Sequence, residues 1–352
     1  MSLVLDSERR PGSSRMSEQS RILVTGAGGF IGHHLVSFLK ARGAWVKGVD
    51  LKAPEYANSK ADEFELLDLR RWDDCLQAVK GVEEVYGLAC DMGGMGFISS
   101  HHAEILHNNG LMSLHMLEAA RVNNVRRYFF ASSACVYPAY RQTENDIAPL
   151  REEDAYPAQP QDAYGWEKLM TEQLCRHYGD EYGMQTRIAR FHNIFGPLGT
   201  WRGGREKAPA AICRKVAEAK LTHSNEIEVW GDGEQTRSFC YIDDCLEGLY
   251  RVMHSEYPEP LNVGQDRMIS INGLVDVVSE LAGVQLTRRH VPGPVGVRGR
   301  NSDNTRVQQV LGWRPRVSLE DGLRQTYAWI EEQVRAELQQ AGGGSKSTIA
   351  VA

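Results

Sequence analysis

Residues 21–32 read RILVTGAGGFIG. Arg21 to Thr25 is a short apolar run, which predicts a buried strand. Glycines follow at once in the spacing Gly26-x-x-Gly29-x-x-Gly32, and an apolar pattern through Leu35, Phe38 and Leu39 predicts a helix. Strand, glycine turn and helix in that order are the context in which a dinucleotide pyrophosphate is held. Gly26 permits the tight turn. Gly29 lets backbone amides approach the pyrophosphate at the helix N-terminus, and Gly32 lets the helix pack closely on the strand. Phe30 and Ile31 lie between these glycines and are assigned to the same ligand.

Outward from this stretch, strands and helices alternate. Trp45 to Val49 predicts a second strand, ending at Asp50. An acid there accepts hydrogen bonds from the adenosine ribose and repels a 2′-phosphate, so NAD is favoured over NADP; Lys52 weakens this slightly. Phe64 to Leu67 predicts a third strand, followed by Asp68. Asp68 has two open readings, a contact to the adenine amino group or the N-cap of a helix over 72–80. Val85 to Ala89 predicts the next strand, opening into the glycine-rich segment Asp91 to Phe97, where backbone can approach a ligand closely. A helix over 101–123 returns the chain. His101, His102 and His107 do not have metal-ligand spacing, so no metal is expected.

The chemistry is concentrated between Phe130 and Lys168. An apolar, aromatic run leads into Ser132, Ser133, Ala134, Cys135, Val136, Tyr137 and Pro138. Further on, Tyr164 and Lys168 stand four residues apart, on one face of a helix if the segment is helical. An ammonium beside a phenol favours the phenolate. Ser133, at a strand end, could hold the alcohol oxygen whose proton Tyr164 takes. Cys135, two residues on, falls on the same side of an extended strand as Ser133.

The chain has 352 residues, 42% apolar and 24% charged, which suits two lobes around substantial cores. Its seven cysteines form no C-x-x-C pair, which fits a reduced, cytoplasmic setting. No apolar run approaches the ~18 residues of a membrane helix, so no membrane partner is expected. A net charge of −6 argues against nucleic-acid binding. Residues 1–20 and 339–352 read as disordered extensions, and a helix over 318–338 has Ser318 as its N-cap.

With the glycine turn, Asp50, Ser133, Tyr164 and Lys168 in hand, the chain resembles the extended short-chain dehydrogenase/reductase superfamily. That resemblance implies an α/β fold: a Rossmann-type doubly wound parallel sheet with a smaller C-terminal α/β substrate-binding lobe. The NAD-binding domain is expected over 21–191, with segments near 236–265 returning to it, and the nucleotide-sugar lobe over 192–338. Asn193 to Pro197 is similar to the superfamily's Asn-x-Tyr-Gly-Pro segment, with Phe195 in place of tyrosine. Gly231 to Phe239, with Asp243 and Asp244, is similar to a region whose arginine meets a diphosphate. A 4,6-dehydratase is disfavoured, because no carboxylate stands at Ala134 or Cys135.

Longer runs narrow the resemblance. Residues 91–97, 132–138, 199–211, 230–239 and 296–304 resemble the family of GDP-mannose 3′,5′-epimerases. This implies GDP-mannose and related GDP-hexoses as substrates, conversion to GDP-L-galactose with GDP-L-gulose as a C5 epimer, and a homodimer. It assigns Ser133, Tyr164 and Lys168 to transient C4 oxidation by NAD, and Cys135 and Lys207 to proton transfer at C3 and C5. Arg237 and Arg300 are expected at the diphosphate, Gly93 and Asn193 nearer the sugar, and Lys215 at the nucleotide end. Ala134, Gln235 and Thr236 join the substrate set. Arg202, Arg214 and Arg298 are as readily solvated surface charges. The rival is a GDP-fucose synthase-like epimerase-reductase. It uses NADPH and a histidine where this chain offers Lys207.

Overall fold

The structure is a computed structural model, and it describes residues 20–343. The expected N-terminal extension, apart from residue 20, and residues 344–352 of the expected tail lie outside the described residues.

The first half alternates as predicted: β1 (Arg21–Thr25), α1 (Phe30–Ala41), β2 (Trp45–Asp50), β3 (Glu63–Leu66), α2 (Trp72–Ala78) and β4 (Glu84–Gly87). Next come a single turn α3 (Met95–Ile98), the long α4 (His102–Val122), β5 (Arg127–Ser133), α5 (Ala163–Tyr182) and β6 (Gln185–Phe191). The second half holds β7 (Ile194–Phe195), α6 (Ala208–Thr222), β8 (Glu226–Trp230), β9 (Thr236–Ser238), β10 (Cys240–Tyr241) and α7 (Ile242–Met253). It continues with β11 (Leu261–Val263), β12 (Met268–Ser270), α8 (Ile271–Ala282), β13 (Thr287–Val291), β14 (Gly299–Arg300), α9 (Thr305–Leu311) and α10 (Leu319–Gly343).

Seven strands form one parallel sheet in the order β11-β6-β5-β4-β1-β2-β3. The order reverses between β1 and β4, and a doubly wound sheet opens a crevice at such a point, beyond the C-terminal strand ends. Apolar side chains load both faces. Leu35, Val36 and Leu39 of α1 join one core that continues through α7 into the smaller lobe. Met116, Leu117 and Ala120 of α4, with Cys75 of α2 and Cys175 of α5, form the core on the other face. The smaller lobe packs α6 against α8 and α10, beside the β8–β13 pair and the β12-β9-β14 sheet.

Only part of 236–265 returns to the large sheet. β11 pairs with β6 and α7 packs beneath them, whereas β9 joins the small sheet through β12 and β14. α10 also runs to Gly343, so residues 339–343, expected in the tail, are helical. Ser318 Oγ accepts the Asp321 amide at 3.1 Å, the N-cap contact expected of it.

α5 is held rigidly. Asp162 caps it, accepting the Gly165 amide at 2.9 Å. Arg190 of β6 forks onto Glu172, Nε to Oε1 at 2.9 Å and Nη2 to Oε2 at 2.7 Å, with both residues buried. Removing one partner of such a buried pair costs about 3–5 kcal/mol, so the register of α5 against the sheet is strongly fixed. The same helix carries Tyr164 and Lys168.

Candidate active site

Two adjoining cavities open at the crevice. The larger, of about 610 Å³, is lined by Gly26, Gly29 to Gly32, Asp50, Ser133, Tyr164 and Lys168, among others. The smaller, of about 240 Å³, is lined by Ala134, Cys135, Asn193, Lys215, Gln235, Arg237 and Arg300. Gly93, Ser133, Tyr164 and Lys207 line both, so they form a common wall.

The larger cavity fits a dinucleotide. Gly26 has φ of +70°, and a Cβ on Gly32 would stand 2.1 Å from the Gly26 carbonyl oxygen, so side chains are excluded from the turn. Gly28, which the spacing argument passed over, is tighter still: its Cβ would lie 2.0 Å from the Lys52 carbonyl oxygen. α1 begins at Gly29 with no side-chain cap and no acid in its first turn, which leaves its amides and positive dipole end for an anion. Asp50 accepts the Gly28 amide at 2.9 Å and keeps lone pairs for a ribose.

Asp68 is not the N-cap of α2. Its carboxylate is held by Arg70, at 2.9 and 2.7 Å, and Arg71 rather than Asp68 precedes α2. Arg70, which sequence reasoning missed, lines the cavity instead.

On the common wall, β5 stops at Ser133 and residues 134–136 form a 3-10 turn. Strand alternation therefore does not place Cys135. The turn does: Ser133 Oγ accepts the Cys135 amide at 3.2 Å, which folds the thiol into the smaller cavity. Arg300 Nη1 donates to Cys135 Sγ at 3.2 Å, and its Nε donates to Gln142 at 2.7 Å. The thiol thus has a positive charge directly beside it.

Tyr164 and Lys168 do share a face of α5, but the simple charge argument does not carry over. Burial pushes the Tyr164 phenol well above its ordinary value; Cys90, Cys135 and Glu167 add to this, and a hydrogen bond with Ser133 opposes it. Lys168 Nζ lies 5.6 Å from the Tyr164 ring centre and 4.7 Å from that of Phe130. At those distances desolvation outweighs the ammonium.

Lys207 is the N-cap residue of α6. Burial lowers it below the ordinary lysine value, with Cys135 and Cys90 opposing and Arg300 adding to the fall. The positive end of α6 works in the same direction. An ammonium so placed releases its proton more readily than a solvated one.

Arg237 donates to the Thr236 and Val297 carbonyls, both at 2.7 Å. Burial, then Arg300, pulls it down to about 9. For a guanidinium this marks a strong demand for a counter-anion rather than a readily lost proton. Asn193, at φ of +46°, donates to the Ser238 carbonyl at 2.9 Å. Lys215 donates to the Glu228 carbonyl at 2.9 Å, near Trp230.

Thr236 is the one expected substrate contact that faces elsewhere. Its hydroxyl bonds the Asn145 carbonyl, and it does not line the smaller cavity. Arg202 and Arg298 pair at the surface with Glu337 and Asp232, whereas Arg214 lines the smaller cavity while paired with Glu206 and Glu218. Among the described residues no cluster could hold a metal ion, and no helix is long and apolar enough to cross a membrane.

A family model described as the NAD dependent epimerase/dehydratase family matches residues 22–264. GDP-mannose 3,5-epimerase 1 of Oryza sativa subsp. japonica is 51% identical over 339 residues, spanning 95% of this chain and 88% of that protein. GDP-L-fucose synthase of Escherichia coli is 27% identical, over 90% of this chain and 98% of that protein. The crystal structure of UDP-glucose 4-epimerase from Thermotoga maritima with UDP-glucose superposes with a TM-score of 0.80 at 27% identity. It covers 89% of this chain and 99% of that one.

Proposed function

The chain belongs to the NAD dependent epimerase/dehydratase family, and we propose that it is an isomerase converting GDP-mannose to GDP-L-galactose, with GDP-L-gulose as the C5 epimer. The observation that carries this reading is the common wall. An oxidation set, Ser133, Tyr164 and Lys168, stands beside a proton-transfer set, Cys135 and Lys207, at the junction of a dinucleotide cavity and an arginine-rich one. A 4-epimerase needs only the first set. The second is what epimerisation at carbons next to C4 demands.

The cofactor is NAD; the Gly26–Gly32 turn, the α1 N-terminus and Asp50 would hold it, and it would supply reversible hydride acceptance at sugar C4. Tyr164 Oη would take the C4 hydroxyl proton once the positive nicotinamide of bound NAD offsets the burial that raises its phenol, and Ser133 Oγ would hydrogen-bond the same oxygen. With C4 a ketone, the C3 and C5 protons become acidic, because the carbanion is delocalised as an enolate. Cys135, beside Arg300, removes a proton, and Lys207, its ammonium weakened by burial, returns one. Arg237 and Arg300 supply planar forks for the diphosphate. The GDP-fucose synthase alternative is weaker at 27% identity, and Asp50 opposes the 2′-phosphate of NADPH.

The proposal extends to a cytoplasmic homodimer. All seven cysteines are free, which suits a reducing compartment. Leu106 and Leu114 of α4 and Trp166 and Met170 of α5 are exposed, and the two helices pack together, offering apolar surface to a second copy.

The test is incubation with GDP-mannose in deuterated water, without added cofactor, followed by NMR. Deuterium at sugar C3 and C5, with new galactose or gulose signals, is expected. No exchange, even after NAD is added, would overturn the assignment.

A further inference from the structure

Glu167 of α5 has no solvent exposure and immediately precedes Lys168. Its Oε1 accepts from Ser113 of α4 and from Thr171 of α5, each at 3.0 Å. Its Oε2 has no hydrogen-bond partner and lies 3.6 Å from Lys168 Nζ. None of the roles assigned above uses this carboxylate. Adjacent helix residues point about 100° apart and do not ordinarily meet. Here two hydroxyls anchor one oxygen, so the other is turned towards the ammonium.

The surroundings of Lys168 leave Glu167 as its counter-charge. Lys168 is buried, with Tyr164 and Glu167 on its own helix, the Phe130 ring on β5, and Cys90 from the segment after β4. Burial pushes Cys90 up to about 11, so its thiol is uncharged at neutral pH. Burial alone would lower Lys168, yet Lys168 stands above the ordinary lysine value, with Cys90 and Glu167 raising it. Glu167 is the one carboxylate ion-paired with Lys168 among the described residues. The need is mutual, because a carboxylate without exposure is costly unless a cation answers it.

We propose that Glu167 is a positioning residue, whose carboxylate keeps Lys168 an ammonium and holds it beside Tyr164. The consequence for turnover rests on the function proposed above; the consequence for Lys168 does not.

The experiment follows the Lys168 side chain by NMR in protein carrying 13Cε-lysine, with Lys168→Met identifying the resonance. In the parent protein the titration midpoint should lie above the ordinary ~10.4. In Glu167→Gln, which keeps the volume and an oxygen for both hydroxyls, it should fall by about one to two pH units. The same variant should lower kcat about tenfold, leave KM for GDP-mannose within about twofold, and move the alkaline limb of kcat downwards.

An unchanged midpoint in Glu167→Gln overturns the proposal, even if activity falls, because the role would then be packing alone. If the variant does not fold, the parent protein still decides: a midpoint below ~10.4 would mean that burial wins and the pair does not hold the charge. A shifted midpoint in a protein that fails to epimerise GDP-mannose would sink the functional reading and leave this inference standing.

Discussion

At the glycine turn of the larger cavity the chain presents backbone; around the smaller cavity it presents side chains. The dinucleotide cradle is made by the missing side chains of Gly26, Gly28 and Gly32 and by free amides at the start of α1, with Asp50 the nearby carboxylate. The adjoining cavity draws Cys135 from the turn after β5, Lys207 from the start of α6, Arg237 from β9 and Arg300 from β14. The first is centred on a dozen consecutive residues, with Asp50 and Lys52 from the next strand end. The second exists only once distant segments converge, and its groups alter one another: Arg300 touches Cys135, and it weighs on both Arg237 and Lys207.

If the two regions meet only at the common wall, losses there should be largest and should spare binding on both sides. Tyr164→Phe is expected to lower kcat about a thousandfold, with calorimetry showing NAD and GDP-mannose still bound. A loss under tenfold would mean that the chemistry lies elsewhere.

Gly28→Ala attacks the cradle alone, because its new methyl would stand 2.0 Å from the Lys52 carbonyl oxygen. NAD affinity should fall about a hundredfold and GDP-mannose affinity about twofold or less. Equal losses of both would show that the cavities are not separable.

Arg300→Lys attacks the other side. It replaces a fork that reaches both Gln142 and Cys135 with a point charge, so KM for GDP-mannose should rise about tenfold while NAD binding is unchanged.

The smallest effect is in pH. As the proposed acid, Lys207 would deliver its proton from the charged form, which is lost as pH rises through a value that burial has lowered. The limb of C3 and C5 exchange that depends on Lys207 should therefore lie below the ordinary lysine value. A limb at the ordinary lysine value would mean that Lys207 is solvated and not the acid.

The contrast also explains what could be read from the sequence. The 21–32 turn and Asp50 were legible because glycine spacing and a strand-end acid are local signals. The pairing of Tyr164 with Lys168 was legible because α5 is regular from Ala163 onwards. Cys135 was assigned to the site by resemblance, but its route there was misjudged, because a 3-10 turn replaces the strand two residues early. Thr236 belongs to the right motif, yet β9 alternates, and its hydroxyl serves the Asn145 carbonyl while its neighbour Arg237 lines the cavity. The expected lowering of the Tyr164 phenol failed because sequence shows which charges are near but not how much water is lost. Glu167 carried no signal at all: a glutamate on a helix is ordinarily solvated, and only packing against Ser113 and Thr171 sets it apart.

The distribution of thiols has a practical consequence. Five of the seven cysteines are buried in the cores, and the two that are not, Cys90 and Cys135, fall one to each cavity. A small alkylating reagent should therefore report on the smaller cavity: burial raises and slows the Cys90 thiol, nucleotide-sugar should shield Cys135, and mass spectrometry would read whether that chamber is filled.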